Sequence, residues 1–333
     1  MKGNNPLLIQ TKNLTKKYGE ALAVQGISFT AKKGEIIGLL GPNGAGKTTT
    51  LNMITGYLSP TEGTVLIDGV DISKEPKKAK TDIGYLPDIP PLYPEMTIYE
   101  YLKFVARLRG IKKSDIPNAV GQAMSLSEIE DIPNKIIKTL SKDYKQRVGL
   151  AQAIVGSPKA IILDEPSSGL DPKQIIEMLD IIKALGKNSH TIILSSHILH
   201  DLSAVCDRII IINKGRIVAS GSKDELSEIL LTKSKIFVKV KGTQNAVNDA
   251  FAQIESVPFT VKKSEYKDIC EVVFTGTASE YVREKIFNCA AQSGLPLIEL
   301  TPITMPLEDV FFEGTEEGDD NTSEEADANN NDN

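Results

Sequence analysis

One octapeptide constrains this chain more than any other feature. Gly41-Pro42-Asn43-Gly44-Ala45-Gly46-Lys47-Thr48 fits the pattern G-x-x-x-x-G-K-S/T. It follows the apolar run Ile36–Leu40 and precedes a helical pattern that opens Thr48-Thr49. A strand–loop–helix of this kind turns backbone N–H groups inward around phosphate oxygens, and the helix N-terminus adds partial positive charge. Residues 41–49 are therefore the candidate phosphate cradle. Lys47 is placed to reach the β- and γ-phosphates, and Thr48 offers a hydroxyl to Mg²⁺.

The surrounding pattern is α/β. Glu35–Leu40, Thr64–Ile67, Ala160–Leu163, Thr191–Leu194 and Arg208–Ile212 are short, near-continuous apolar runs. Buried parallel strands read this way, because helices cover both faces of the sheet. Ala160–Leu163 ends in Asp164-Glu165-Pro166. Acids at the carboxyl end of such a strand lie beside the phosphate loop. Asp164 is expected to hold Mg²⁺, directly or through water, and Glu165 to polarise the attacking water as a general base. Thr191–Leu194 runs into Ser195-Ser196-His197, which puts His197 within reach of a γ-phosphate oxygen. Residues from about 95 to 158 read as wholly helical, an insert within about 90–158. In Ile98–Arg109 the expected apolar side is Leu102, Val105 and Leu108.

Residues 231–313 read differently. Lys235–Lys241 and Cys270–Phe274 alternate apolar and polar positions, as half-buried strands do. With helical patterns at Gln244–Ile254 and Ser279–Ser293, and strands near Phe259–Lys263 and Leu297–Leu300, the order is strand–helix–strand–strand–helix–strand. That is the ferredoxin-like split βαβ arrangement, a small α+β domain. The expected division is 1–230, 231–313 and a disordered acidic tail, 314–333.

The net charge of −6 over 333 residues belongs to that tail. Residues 314–333 hold eight acids and no Lys or Arg, and without them 38 basic residues face 36 acidic ones. Bulk charge therefore points to no nucleic-acid partner. Cys206, Cys270 and Cys289 have no metal spacing and read as reduced, buried thiols of a cytosolic protein. No apolar run approaches the ~18 residues of a membrane span, and the start carries no apolar stretch of signal-peptide length. Any work at a membrane then passes through another chain.

The order of motifs resembles the ATP-binding subunit of ABC transporters over about residues 7–230. Leu140-Ser141-Lys142-Asp143-Tyr144-Lys145-Gln146-Arg147 is similar to that family's signature, Ser168-Gly169-Leu170-Asp171 to its D-loop, and Ile83-Gly84-Tyr85-Leu86-Pro87-Asp88 stands at its Q-loop. Tyr18 matches the aromatic that stacks on adenine, and His197 the switch histidine. The resemblance implies a P-loop NTPase fold of the ABC type and ATP with Mg²⁺ as ligands. It implies a head-to-tail pair of nucleotide domains, in which Ser141, Asp143 and Asp171 of one chain face ATP held by the other. It further implies a membrane-spanning permease subunit, a peripheral place on the cytoplasmic face of the cell membrane, and ATP-driven export. The C-terminal domain resembles one found in ABC-2-type exporters, including multidrug and gliding-motility systems. A GTPase reading lacks the acid of N-K-x-D at Asn213-Lys214-Gly215, and a double-cassette protein would carry a second phosphate loop.

Two positions depart from the family pattern. Asp143 replaces the signature's second glycine. A carboxylate about 4 Å from a phosphate charge costs on the order of 4 kcal/mol at an effective dielectric near 20. Rotated outward in the first turn of a helix, it stabilises by only roughly 0.3–1 kcal/mol. Asp143 therefore motivates an alternative reading, a hydrolysis-impaired regulatory or heterodimeric subunit. Asp88 stands where the family has Gln; its hard oxygen suits Mg²⁺ on a shorter stem.

Overall fold

The computed structural model describes residues 6–303 except 189, 227–234, 255–256, 265, 267 and 276–278. The expected tail, 314–333, lies outside the described residues. Two compact units divide between Ser222 and Lys223, ahead of the expected boundary at 230/231.

The first unit is built on a six-stranded sheet. Strands β3 (Ile36–Leu40), β6 (Ile83–Leu86), β7 (Ala160–Leu163), β8 (Thr191–Ser196), β9 (Arg208–Asn213) and β10 (Arg216–Gly221) run in the order β10-β9-β3-β8-β7-β6. All neighbours are parallel except the edge hairpin β9–β10. β3, β7 and β8 are buried at every position, as their Ile- and Leu-rich runs require when both faces are covered.

A second sheet is antiparallel throughout: β1 (Leu7–Tyr18), β2 (Ala21–Lys32), β4 (Glu62–Ile67) and β5 (Val70–Asp71) run β2-β1-β4-β5. This corrects the expectation for Thr64–Ile67, which pairs antiparallel with β1. A short apolar run reports burial, and pairing direction comes from a partner more than fifty residues away.

Helices α1 (Lys47–Ile54), α2 (Pro76–Thr81), α3 (Ile98–Leu108), α4 (Ile116–Leu126), α5 (Lys142–Ile154), α6 (Pro172–Lys187) and α7 (Leu199–Val205) complete this unit. The segment from 95 to 158 is not wholly helical, because turns and a 3-10 turn at Ile137–Thr139 separate its three helices. α3 starts in a reciprocal cap between Thr97 and Glu100. Its buried residues are Ile98, Tyr101, Leu102 and Ala106, whereas Leu108 is exposed. A strict three-residue spacing drifts around a 3.6-residue helix, so the expected stripe turns out to solvent by its last member.

The second unit has the order β11 (Lys235–Lys241), α8 (Gln244–Phe251), β12 (Phe259–Lys263), β13 (Ile269–Thr275), α9 (Glu280–Gln292) and β14 (Leu297–Ile303). Its sheet is antiparallel with order β12-β13-β11-β14, the ferredoxin-like arrangement. Phe251 and Phe274 meet edge to face at 5.2 Å in its core, where Val238, Val272 and Ile286 are also buried. All three cysteines are free; Cys270 is buried, but Cys206 and Cys289 are only partly so. Among the described residues, no helix is long and apolar enough to cross a membrane.

Candidate functional site

The phosphate loop leaves the carboxyl end of β3, between β9 and β8, and enters α1. Gly44 has φ 81° and Gly46 φ 100°, which side chains rarely tolerate. A Cβ at Gly46 would also stand 2.7 Å from the Ala23 carbonyl oxygen. Gly46 caps α1 without a side-chain bond, and the first turn of α1 carries no acid. The opening N–H groups of α1 thus stay available to an anion. Pro42, Asn43, Gly44, Gly46, Lys47, Thr48 and Thr49 line a depression of about 220 Å³. Ala23, Asp88 and Glu165 complete its wall. Gly41 and Ala45 build the loop behind it; Gly41 lies against the Ile212 carbonyl, and Ala45 is buried.

Lys47 is 5% exposed. Its ammonium donates to the Gly41 and Pro42 carbonyl oxygens at 2.6 and 3.2 Å and lies 3.1 Å from Glu165 Oε1. The other carboxylate oxygen of Glu165 is 3.0 Å from His197 Nδ1. One carboxylate therefore joins the phosphate-loop lysine to the end of β8. Glu165 achieves this from a left-handed backbone, φ 46°, uncommon for a non-glycine residue and costing on the order of 1–3 kcal/mol.

β8 lies between β3 and β7, so the acids are not on the strand next to the loop. Ser195 bridges the gap: its hydroxyl donates to Asp164 Oδ1 at 2.7 Å and accepts from the Glu165 N–H at 2.9 Å. Ser195 is a positioning residue to which the motif pattern assigns no role. Its signal was a polar side chain ending a buried strand beside β7. Asp164 is 1% exposed. Burial raises its carboxyl above the usual carboxylate range. Hydroxyl bonds from Ser195 and Thr48 oppose that shift, and the charges of Glu165 and Asp88 add to it.

Thr48, Asp164 and Asp88 supply hard oxygens along connected walls of the site. Among the described residues, no three His, Cys, Asp or Glu side chains form a metal cage. That donor set fits Mg²⁺, which commonly takes one or two carboxylates with water and substrate phosphates.

The remaining expected residues lie outside this cluster in the single chain. Tyr18, 52% exposed, ends β1 and carries the Lys16 ammonium 5.4 Å from its ring centre. Asp171 caps α6, accepting from the Gln174 N–H at 2.9 Å. Ser141 is the N-cap of α5, and its hydroxyl donates to the Asp143 carboxylate. The backbone of Asp143 is not in the left-handed region, so no lost glycine freedom adds to its cost. The carboxylate is turned back on its own helix start.

The ABC transporter family profile matches residues 24–168. The uncharacterized ABC transporter ATP-binding protein YxlF of Bacillus subtilis is 36% identical over 305 residues, 92% of this chain and 98% of that protein. The Nod factor export ATP-binding protein I of Burkholderia orbicola is 35% identical over 220 residues, 66% of this chain and 72% of that protein. Among solved structures, the dimeric MJ0796, described as a bacterial ABC transporter cassette, superposes with a TM-score of 0.60 at 27% identity. That match covers 65% of this chain and 98% of the cassette. With a family profile over residues 24–168 and a relative 36% identical over 92% of the chain, this protein, whose Lys47, Glu165 and His197 meet beside the loop at Gly41–Thr48, belongs to the ABC transporter family as an ATP-binding subunit.

Proposed function

We propose that this subunit hydrolyses ATP to drive export through a separate membrane-spanning permease, acting as one of two paired nucleotide domains at the cytoplasmic face of the membrane. The observation that carries the reading is the Lys47–Glu165–His197 chain above the open phosphate loop, with contacts of 3.1 and 3.0 Å. Lys47 and the first turn of α1 hold the β- and γ-phosphates. Thr48, Asp164 and Asp88 hold Mg²⁺, which when bound neutralises phosphate charge. Exposed Tyr18 stacks on adenine. Glu165, oriented by His197, takes the proton of the water that attacks the γ-phosphorus; the bond to the bridging oxygen breaks, leaving ADP and phosphate.

Ser141 and Asp171 then act on ATP held by the second domain. A dimeric cassette among the structural relatives supports pairing, and an export protein among the sequence relatives supports the direction. A groove of about 700 Å³, lined by Tyr57, Tyr85, Ile89, Arg109 and Gln152 beside Asp88, is the place we assign to the permease. The test is phosphate release from MgATP by the wild type and by Glu165→Gln. Turnover should fall roughly 10²- to 10⁴-fold with ATP binding retained; unchanged turnover removes Glu165 from its role.

The Ser141–Asp143 contact favours a second reading, a subunit whose homodimer binds ATP but hydrolyses it poorly. The hydroxyl that would meet the partner's phosphate is engaged by a carboxylate. A partner chain with an intact signature would restore one of the two sites. Asp143→Gly should raise ATPase activity, and no increase would mean that the carboxylate is harmless.

A further inference from the structure

Gln146 stands inside the signature-like segment Leu140–Arg147 with no role assigned to its side chain, and its surroundings give it one. It lies on α5, five residues beyond Ser141, and is 2% exposed. Its Nε2 donates to the main-chain oxygen of Asp88 at 3.0 Å, across 58 residues of sequence. Its Oε1 is buried with no hydrogen-bond partner among the described residues. A buried amide whose oxygen is unpaired is a poor choice for stability, because an apolar side chain of similar shape would avoid the desolvation penalty. The remaining bond is therefore what the amide supplies.

That bond falls where the chain needs an anchor. β6 is fixed as far as Leu86, whose carbonyl accepts from the Asp164 N–H at 2.8 Å. Beyond it come Pro87 and then Asp88, an exposed residue with a side chain in the wall of the phosphate depression. α5 presses on this segment: a Cβ at Gly149 would stand 2.6 Å from Leu86 and 2.8 Å from Pro90. The neighbouring Arg147 ties the same helix to Glu128 at 2.6 Å and to Glu177 on α6 at 2.5 Å. The helix that begins at Ser141 is thus braced on one side and holds Asp88 on the other.

We propose that Gln146 is a positioning residue that sets the Asp88 carboxylate for Mg²⁺ and makes its placement follow the signature helix. The proposal rests on the reading of Asp88 as a Mg²⁺ ligand. The experiment is Mg²⁺ titration of a fluorescent ATP analogue on the full chain, with wild type, Gln146→Met, Asp88→Ala and the double variant. Thermal unfolding is followed in parallel. Gln146→Met should raise the Mg²⁺ midpoint about tenfold, the lower end of what outer ligand contacts contribute. Its analogue binding in EDTA should stay unchanged, and its melting temperature should hold or rise. In the Asp88→Ala background the added shift should vanish. An unchanged midpoint, a shift that persists in full without the Asp88 carboxylate, or a midpoint that moves only with a lower melting temperature would overturn the proposal. If Asp88→Ala alone leaves the midpoint unmoved, the failure lies with Asp88 as ligand. If the wild type binds no analogue, it lies with the function.

Discussion

The phosphate loop and the start of α5 meet their polar groups in opposite ways. At the loop, side chains from three separate strand ends converge: Lys47 reaches Glu165, Glu165 reaches His197, and Ser195 ties Asp164 to the Glu165 main chain. At α5 the polar groups close on themselves, Ser141 onto Asp143, and neither lines the phosphate depression. One region is assembled by the sheet within the single chain. The other satisfies its helix start locally, and its link to the phosphate depression is the Gln146 bond to the Asp88 main chain one turn further on. The contrast is the one expected of a composite site whose catalytic half is built in one chain and whose signature half serves another.

The sharpest way to break this contrast is at Lys47. Lys47→Ala removes the cation that faces both the phosphates and Glu165, so phosphate release should fall roughly 10²- to 10³-fold. Ser195→Ala should follow, at about ten- to a hundredfold, because it removes a bond to a buried carboxylate. Its melting temperature should drop as well, since Asp164 loses a partner that offsets its burial. Asp143→Gly should have the smallest effect. Stability falls by up to about 1 kcal/mol, from glycine's backbone freedom and the lost acid in the first turn, as read by denaturant unfolding, while ATPase activity rises a few-fold. A fall in activity there would place the carboxylate among the groups that help.

The loop, the acid-ended strand β7, the end of β8 and the βαββαβ order of the second unit were legible because each is written in a contiguous segment. The antiparallel pairing of Glu62–Ile67 with β1 was not, since local periodicity carries no direction. Nor was the left-handed backbone of Glu165, which places its carboxylate between Lys47 and His197. The residues Ser195 and Gln146 stand in segments already singled out, but their contacts were not legible, for a related reason. Each acts on a main-chain group far away in sequence, at Glu165 and Asp88, and a main-chain group leaves no mark on residue type. The orientation of Asp143 was open because the sequence allows both rotations, and the structure turns it to Ser141.

The central claim is that the two regions come from different chains when ATP is hydrolysed. Mixing two inactive variants tests it most directly: Glu165→Gln, defective at the catalytic end, and Ser141→Arg, defective at the signature end. In a mixed pair one site carries both defects and the other carries neither. The account predicts that the mixture releases phosphate well above the sum of the two variants measured alone. A mixture no more active than that sum would contradict it.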